Sequence, residues 1–415
     1  MAILGAGPAG LTLASLLTKH SIPYTVFDLR SRPSSTDMTL PSGSLDLHGE
    51  SGLLALESCG LLERFKELSG ECGEECKLAD MNGEIKHQDE GNGLRPEIAR
   101  NALTHLLLES VLEERIRWER KISSIQQAED GKKWQLSFAS DPSSQASKPT
   151  AQDDEVFDLV IGADGAWSRV RPLLTSTVPY FSGMNCITLT IPHLTSKHPH
   201  LASLVGSGSY SACGAGKAVM VQRGSLDSAR IYLMISSEAE SYLAESGLDG
   251  MSAEELKGKL LNGRGAVFES WGAWPKELIA AGCDAEAGNE ISAKPFYMLP
   301  PGHNWTHVPG LALLGDAAHL MTPFAGEGVN AAMLDALQLS EALVECYPSS
   351  PDKAIESYET KMFPRAKEIM EESFQNMKMI FAADSPRGFV EFMQSHFPPL
   401  ATKEESSAEL SRMIE

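Results

Sequence analysis

The sequence predicts an α/β fold in which a parallel-sheet domain, split along the chain, holds an inserted and mainly β domain and is followed by a helical segment. Three observations predict it. Apolar Ala2-Ile3-Leu4 runs into a glycine-rich turn and then a helical stretch, and an apolar run ending at Leu314 does the same. Between them, from about Val178 to Lys294, short β-rich runs alternate with Gly/Ser turns. At 415 residues the chain exceeds what a single core usually organises. The expected divisions are 1–172 for the first part of the split domain, 173–304 for the inserted domain, 305–345 for the second part and 346–415 for the helical end.

The first turn is Gly5-Ala6-Gly7-Pro8-Ala9-Gly10, followed by Leu11, Leu13, Ala14, Leu16 and Leu17 at helical spacing. Glycines there let the turn tighten and the backbone meet a pyrophosphate resting on the helix N-terminus. Gly5, Gly7, Pro8, Ala9 and Gly10 are therefore candidate dinucleotide contacts. Tyr24-Thr25-Val26-Phe27 reads as a second strand ending in Asp28. That places an acceptor about 20 residues beyond the glycines, where an adenosine ribose needs one, with Leu29 and Arg30 beside it. Only four residues precede Gly5, a short first strand that leaves open whether residues are missing ahead of it.

Further along, a hairpin is expected around Asp80-Met81-Asn82-Gly83. The polar, aperiodic stretch 141–154 reads as a surface loop, disordered at its tip and tolerant of deletion. Asp158-Leu159-Val160-Ile161-Gly162 is a buried strand entering the acidic turn Ala163-Asp164-Gly165 and then a basic helix start at Arg169 and Arg171. Strands of the inserted domain are expected over 187–191, 218–221 and 230–235, with a helix from Ser252 to Leu261.

The most informative run is Gly315-Asp316-Ala317-Ala318-His319-Leu320-Met321-Thr322-Pro323-Phe324-Ala325-Gly326-Glu327-Gly328-Val329-Asn330. Asp316, at a strand's carboxyl edge, can accept from the hydroxyls of a polyol such as ribityl, and Ala317 and Ala318 leave room for it. Gly326 and Gly328 let backbone approach a flat ring. The helix starting near Gly328 and running through Leu334 and Leu337 aims free N–H groups and partial positive charge at it, which favours the anionic, reduced form of a flavin. A charged amphipathic helix from Pro351 to Met379, kinked at Pro364, and a short helical tail close the chain.

Together the three glycine-bearing elements resemble the single-component FAD-dependent aromatic hydroxylases, the group A flavoprotein monooxygenases of the para-hydroxybenzoate hydroxylase type. The resemblance implies a Rossmann-like FAD-binding domain of the GR2 type with an inserted β-sheet substrate domain and a C-terminal helix. It also implies that the first glycine run holds the ADP of FAD, that Asp164 and Gly165 touch both FAD and incoming NADPH, and that Gly315 and Asp316 hold ribityl and ring. Gly43-Ser44-Leu45-Asp46-Leu47-His48, Arg95-Pro96-Glu97-Ile98-Ala99-Arg100-Asn101, Pro323-Phe324-Ala325-Gly326 and the segment from Tyr358 to Ser373 are similar to the tetracycline-inactivating flavin monooxygenases. On that similarity Arg100 sits beside the pyrophosphate and ribityl, and Ile122, Pro323, Gly326, Gly328, Val329 and Asn330 complete the FAD contacts. Thr188, Tyr232, Met234, Pro323, Phe324 and Gly326 are the implied substrate contacts.

The implied reaction has NADPH reduce FAD and dioxygen form a C4a-hydroperoxyflavin. Its distal oxygen passes to an electron-rich carbon of a polycyclic aromatic or enolic substrate. The flavin performs the chemistry and no catalytic side chain is assigned; Met321 is a further candidate for the apolar lining. Where the tetracycline enzymes place Gln, Arg and His on the substrate sheet, this chain has Thr188, Ser209 and Tyr232, so another polycyclic phenol or enol is the expected substrate. An FAD-dependent reductase or dehydrogenase, and a non-enzymatic flavin-fold prenyl-binding protein, are the alternatives. Trp271-Gly272-Ala273-Trp274 lacks the spacing of the flavin halogenases.

A hydrophobic content of 42% supports well-formed cores, and no apolar run reaches membrane-spanning length. A formal charge of −21 argues against nucleic acid and anionic membrane surfaces as partners. Residues 1–20 read as nucleotide-binding unit rather than secretory leader, so a cytoplasmic monomer acting on a small molecule is expected. The seven cysteines are scattered and odd in number, which predicts free thiols, and His198 with His200 reads as a solvated loop rather than a metal site.

Overall fold

The computed structural model describes residues 1–70, 72–139, 154–289 and 291–396. A five-stranded parallel sheet runs in the order Leu311–Leu313, Val160–Gly162, Ala2–Leu4, Thr25–Phe27, Ile116–Arg117. The central strands are almost wholly buried, as a parallel sheet covered by other elements requires. From Ala2–Leu4 the chain goes to one neighbour at Thr25 and reaches the other only at Val160. That switch in direction opens a crevice at the carboxyl ends of the strands. Helices Pro8–Lys19, Arg100–Glu109 and Gly328–Cys346 join the sheet in one apolar core. The antiparallel sheet of Ile122–Gln127, Trp134–Phe138 and Glu155–Phe157 packs into the same core through Phe27, Phe138 and Phe157.

A second sheet has seven strands in the order Ser292–Met298, Tyr180–Ile191, Ser228–Ser236, Lys217–Gly224, Ser209–Gly214, Cys76–Asp80, Ile85–Asp89. Its side chains alternate by the two-residue period of a strand. Ile187, Leu189, Ile231 and Leu233 pack with helices Ala253–Leu261 and Ala273–Ala285, while Met184, Cys186, Tyr232 and Met234 face Phe324 and the long helix Pro351–Ile380. The hairpin expected around Asp80–Gly83 forms, but it extends this second sheet. Cys76–Asp80 pairs in parallel with Ser209–Gly214, so residues inside 1–172 contribute to the inserted domain's sheet. A parallel partner so distant in the chain leaves no local pattern to read.

The helix expected from Ser252 is Ala253–Leu261, opened by a reciprocal Ser252/Glu255 capping box. Pro351–Ile380 continues through Pro364, and Arg387–His396 forms the tail helix. The polar loop expected at 141–154 lies outside the described residues, except Asp154. No described helix is long and apolar enough to cross a membrane, and none of the seven cysteines is in a disulfide. Among the described residues no His/Cys/Asp/Glu cluster has the makings of a metal site; the loop expected at His198 and His200 is instead the start of helix Pro199–Val205, where His200 pairs with Glu277 at 2.5 Å.

Candidate functional site

Two adjoining cavities open at the carboxyl edge of the parallel sheet, of about 660 Å³ and about 470 Å³, and both are lined by Gly7, Ala163 and Gly165. They form one elongated cradle. The glycines of the first turn divide into two kinds. A Cβ on Gly10 would lie 2.0 Å from the Gly5 carbonyl oxygen. One on Gly5, whose φ is +105°, would lie 2.2 Å from the Ala163 oxygen, so both are required by the fold itself. A Cβ on Gly7 would meet nothing within 4 Å, and it would project beside the helix end that Pro8 opens.

The smaller cavity is lined by Gly5, Asp28, Leu29, Arg30, Ile122, Asp164 and Gly165, together with Arg120, Lys121 and Arg169. Asp28 is buried. Its Oδ2 accepts from the Ala6 N–H at 2.7 Å and Arg30 Nη2 at 2.8 Å, and its Oδ1 accepts from Arg30 N at 2.8 Å and Nε at 3.0 Å. Burial alone would raise the Asp28 pKa, but these bonds hold it below the usual carboxylate range. Four donors already fill the acceptor positions of this carboxylate, so a ribose hydroxyl would take the place of the exposed Arg30 side chain. Asp164 is satisfied at one oxygen by the Arg169 N–H at 2.7 Å, and its Oδ1 is buried without a partner. Burial raises its pKa.

The larger cavity carries Gly315 and Asp316 on its floor, with Pro8, Ala9, Arg100, Pro323, Gly326, Gly328 and Val329 around them. Asp316 is open to the cavity yet surrounded by protein, which raises its pKa despite His319, Arg100 and Arg171. Buried Arg171 ties the second turn to this floor through the Ala166 oxygen at 2.5 Å and the Ala317 oxygen at 3.1 Å. From beneath, buried Asp335 accepts from the Gly315 N–H at 2.8 Å and from His319 Nε2 at 2.7 Å, and it pairs with Arg365. Helix Gly328–Cys346 makes its first internal bond from the Ala331 N–H to the Glu327 oxygen and has no side-chain cap. The N–H groups of Gly328, Val329 and Asn330 therefore lack intrahelical acceptors, and Gly328 and Val329 lie at the cavity edge. Asp46, at the end of strand Ser44–Asp46, lines the cavity opposite Gly326 and pairs with buried His48, which also meets Glu327.

The seven-stranded sheet roofs this cavity with Ser209, Ser211, Met220, Val221, Gln222, Tyr232, Met234 and Phe296, facing Met321 and Phe324. Burial raises the Tyr232 pKa, with Arg100 acting the other way. Gly10, Asn330 and Thr188 lie outside both linings. Gly10 is a packing position, and Asn330 accepts from the His48 N–H and donates to the Asp46 oxygen, both at 3.0 Å. Thr188 pairs with Tyr232 on the roof's inner face and has its hydroxyl 3.7 Å from Cys186 Sγ. Open space over Gly7 and Gly165, an orphaned carboxylate oxygen at Asp164 and free N–H groups at two helix ends fit a dinucleotide with a flat, polar-edged ring.

The model of the FAD binding domain family matches residues 1–205 and 306–373. The chain belongs to this family of group A flavin monooxygenases. It is 39% identical to the monooxygenase penA of Penicillium thymicola over 92% of this chain and 95% of that protein. It is thus an FAD-dependent monooxygenase. Among solved structures it superposes on Klebsiella pneumoniae HpxO complexed with FAD and uric acid with a TM-score of 0.73 at 19% identity, covering 95% of this chain and 92% of that one. The tetracycline destructase Tet(55) gives 0.69 at 16% identity, covering 96% and 97%. At these identities the likeness is one of fold.

Sequence reasoning assigned no role to Asp46, His48, Glu327, Asp335, Arg171 or Gln222. Asp335 carried a signal, since it is an acid within the apolar run Ala331-Ala332-Met333-Leu334 and Ala336-Leu337. Arg171, buried among carbonyls, and Gln222, in a strand of mixed pattern, carried none. Gln222 donates to Glu97 at 3.2 Å, whose pKa is pushed up to about 7 by burial, with Asp46 adding to it.

Proposed function

We propose that this flavoenzyme consumes NADPH and dioxygen to hydroxylate a polycyclic aromatic or enolic substrate held between the ring site and the seven-stranded sheet. The observation that carries the reading is continuity: the cavity over Asp316 and the Gly326–Gly328 turn extends without a wall to an apolar roof of Met220, Tyr232, Met234 and Phe296. A flat ligand of several fused rings suits such a slot, and the serines and Gln222 offer hydrogen bonds rather than charge.

Bound in this cradle, FAD would supply the two-electron redox chemistry by which dioxygen is activated. The chain's own contribution is binding, orientation and exclusion of water. Gly7, Pro8 and Ala9 would place the diphosphate on the first helix, with Asp28, Leu29, Arg30 and Ile122 around the adenosine and Asp164 with Gly165 at the junction. Arg100 would face the phosphates and ribityl, and Asp316 would accept from the ribityl hydroxyls. Gly328 and Val329 would present N–H groups to the pyrimidine edge, which stabilises negative charge there, while Asn330 would brace the turn from behind. Pro323, Phe324 and Gly326 would border both ring and substrate, with Met321, Tyr232 and Met234 keeping the slot dry and Thr188 at its margin.

The test is a panel of phenolic polyketides and tetracyclines with purified protein, NADPH and oxygen. A compound that accelerates NADPH oxidation and emerges heavier by one oxygen atom supports the reading. Equal oxidation with and without every compound, yielding only hydrogen peroxide, defeats it.

A further inference from the structure

We propose that His48 is a positioning residue for the flavin: as an imidazolium it ties strand Ser44–Asp46 to the Gly326–Gly328 turn and holds these two cavity walls at the separation a flat ring needs. This rests on the reading that the ring lies at that turn. His48 Nε2 is 3.0 Å from Asp46 Oδ2, and Nδ1 is 2.9 Å from Glu327 Oε1. Ionised carboxylates only accept, so both ring nitrogens must donate, and only the charged imidazole carries two N–H groups. The ring is 3% exposed, so water is not at hand to replace either contact.

The main chain is tied in parallel. The His48 N–H donates to Asn330 Oδ1, and Asn330 Nδ2 donates to the Asp46 carbonyl oxygen, each at 3.0 Å. Gly326 has a φ of +72°, and a Cβ there would stand 3.7 and 3.8 Å from the two Asp46 oxygens. The carboxylate that His48 orients therefore faces the turn itself.

Burial works against a charged His48, but the two carboxylates outweigh it and push its pKa up to about 9. Asp46 from its own strand end and Glu327 from the helix start are the charged groups that face the ring. Glu97, on the strand paired with Ser44–Asp46, does not act on the ring; Asp46 adds to the rise that burial gives the Glu97 pKa. Loss of the proton would set a nitrogen lone pair against a carboxylate and free one wall from the other. Because the folded pKa is raised, the bridge is complete at lower pH and is lost as pH rises through about 9. FAD binding and protonation of His48 then favour each other by linkage.

The experiment equilibrates wild-type, His48→Gln, Glu327→Gln and Asp316→Ala holoprotein between about pH 7 and about pH 10 and reads FAD retained by absorbance and released by fluorescence. Wild-type affinity is expected to fall about tenfold as pH rises through about 9. His48→Gln, which donates to one carboxylate at most, should bind FAD about tenfold more weakly at neutral pH and show no such step. Glu327→Gln removes one carboxylate that favours the imidazolium, so its step should move to lower pH, and this arm stands if His48→Gln does not fold. Wild-type affinity and an unshifted pH step in both bridge variants, while Asp316→Ala loses FAD, would overturn the bridge and leave the ring placement standing. FAD retention unchanged in every variant would overturn both.

Discussion

Asp335 offers the sharpest test of how the floor of the larger cavity is built, through Asp335→Asn. The carboxylate is fully buried, with 0% exposure, and has three partners: the Gly315 N–H and His319 Nε2 on Oδ2, and Arg365 on Oδ1. An asparagine of the same shape keeps one carbonyl oxygen but turns an NH₂ toward either Arg365 or the Gly315 and His319 donors, donor against donor. It also leaves the Arg365 charge without its counterion. Breaking a buried pair in this way costs about 3–5 kcal/mol. At roughly 2 °C per kcal/mol for a long chain, Tm of the FAD-free protein should fall by about 6–10 °C.

The pH dependence gives a second reading. Burial alone would raise the Asp335 pKa, but His319 and Arg365 pull it down. Its contribution is therefore present above the unfolded carboxylate pKa of about 3.9 and lost as pH falls through the lower folded value. For His319, burial opposes the charge but Asp335 and Asp316 raise the pKa. Its contribution is full below about 6.5 and lost as pH rises through the folded value. The difference in Tm between wild type and variant should thus be greatest between about pH 4 and about pH 6.5 and narrow on the alkaline side. The assay is thermal unfolding by circular dichroism across that range. A Tm within about 2 °C of wild type at every pH would refute the argument that this pair holds the Gly315 turn.

Three further outcomes are expected. Gly10→Ala and Gly7→Ala should separate: the former drives a Cβ to 2.0 Å from backbone and should destabilise the fold by at least about 1–3 kcal/mol in urea unfolding, whereas the latter has open space and should keep Tm but lose FAD affinity in titration. Asp316→Ala should weaken FAD binding by about 1–3 kcal/mol in an equilibrium titration, because a hydrogen-bond acceptor lining the larger cavity is lost. Phe324→Ala removes part of the apolar lining of the larger cavity and lets water in, so once a substrate is found, more of the NADPH consumed should end as hydrogen peroxide, measured by a peroxidase assay.

Much of the cradle was legible because its signals are local. Gly5, Gly7 and Gly10 ahead of a helix, Asp28 after a strand, and Gly315, Asp316, Gly326 and Gly328 around a turn each follow from backbone conformation over a few neighbours. The roof was only half legible. Alternation along 230–235 marks a strand, but it does not say which face looks into the cavity, and the partner that fixes this is Tyr180–Ile191. The hairpin around Asp80–Gly83 was legible but the sheet it joins was not, because the pairing of Cys76–Asp80 with Ser209–Gly214 is parallel and remote. His48, Asp46 and Glu327 had no joint signal, since two of the three lie some 280 positions from the third.

By itself the sequence determined the α/β class, the three glycine-bearing turns, the flavin they suit and the β-rich insert, because steric freedom at glycine, strand period and helix-end charge act within a few residues. Only the tertiary structure decided that Asp28 is already clasped by Arg30, that Asp335 underpins Gly315, and that His48 lies between two carboxylates beside the larger cavity. Charge pairing and desolvation depend on distance through space, and residues far apart along the chain acquire those distances only when it closes on its core.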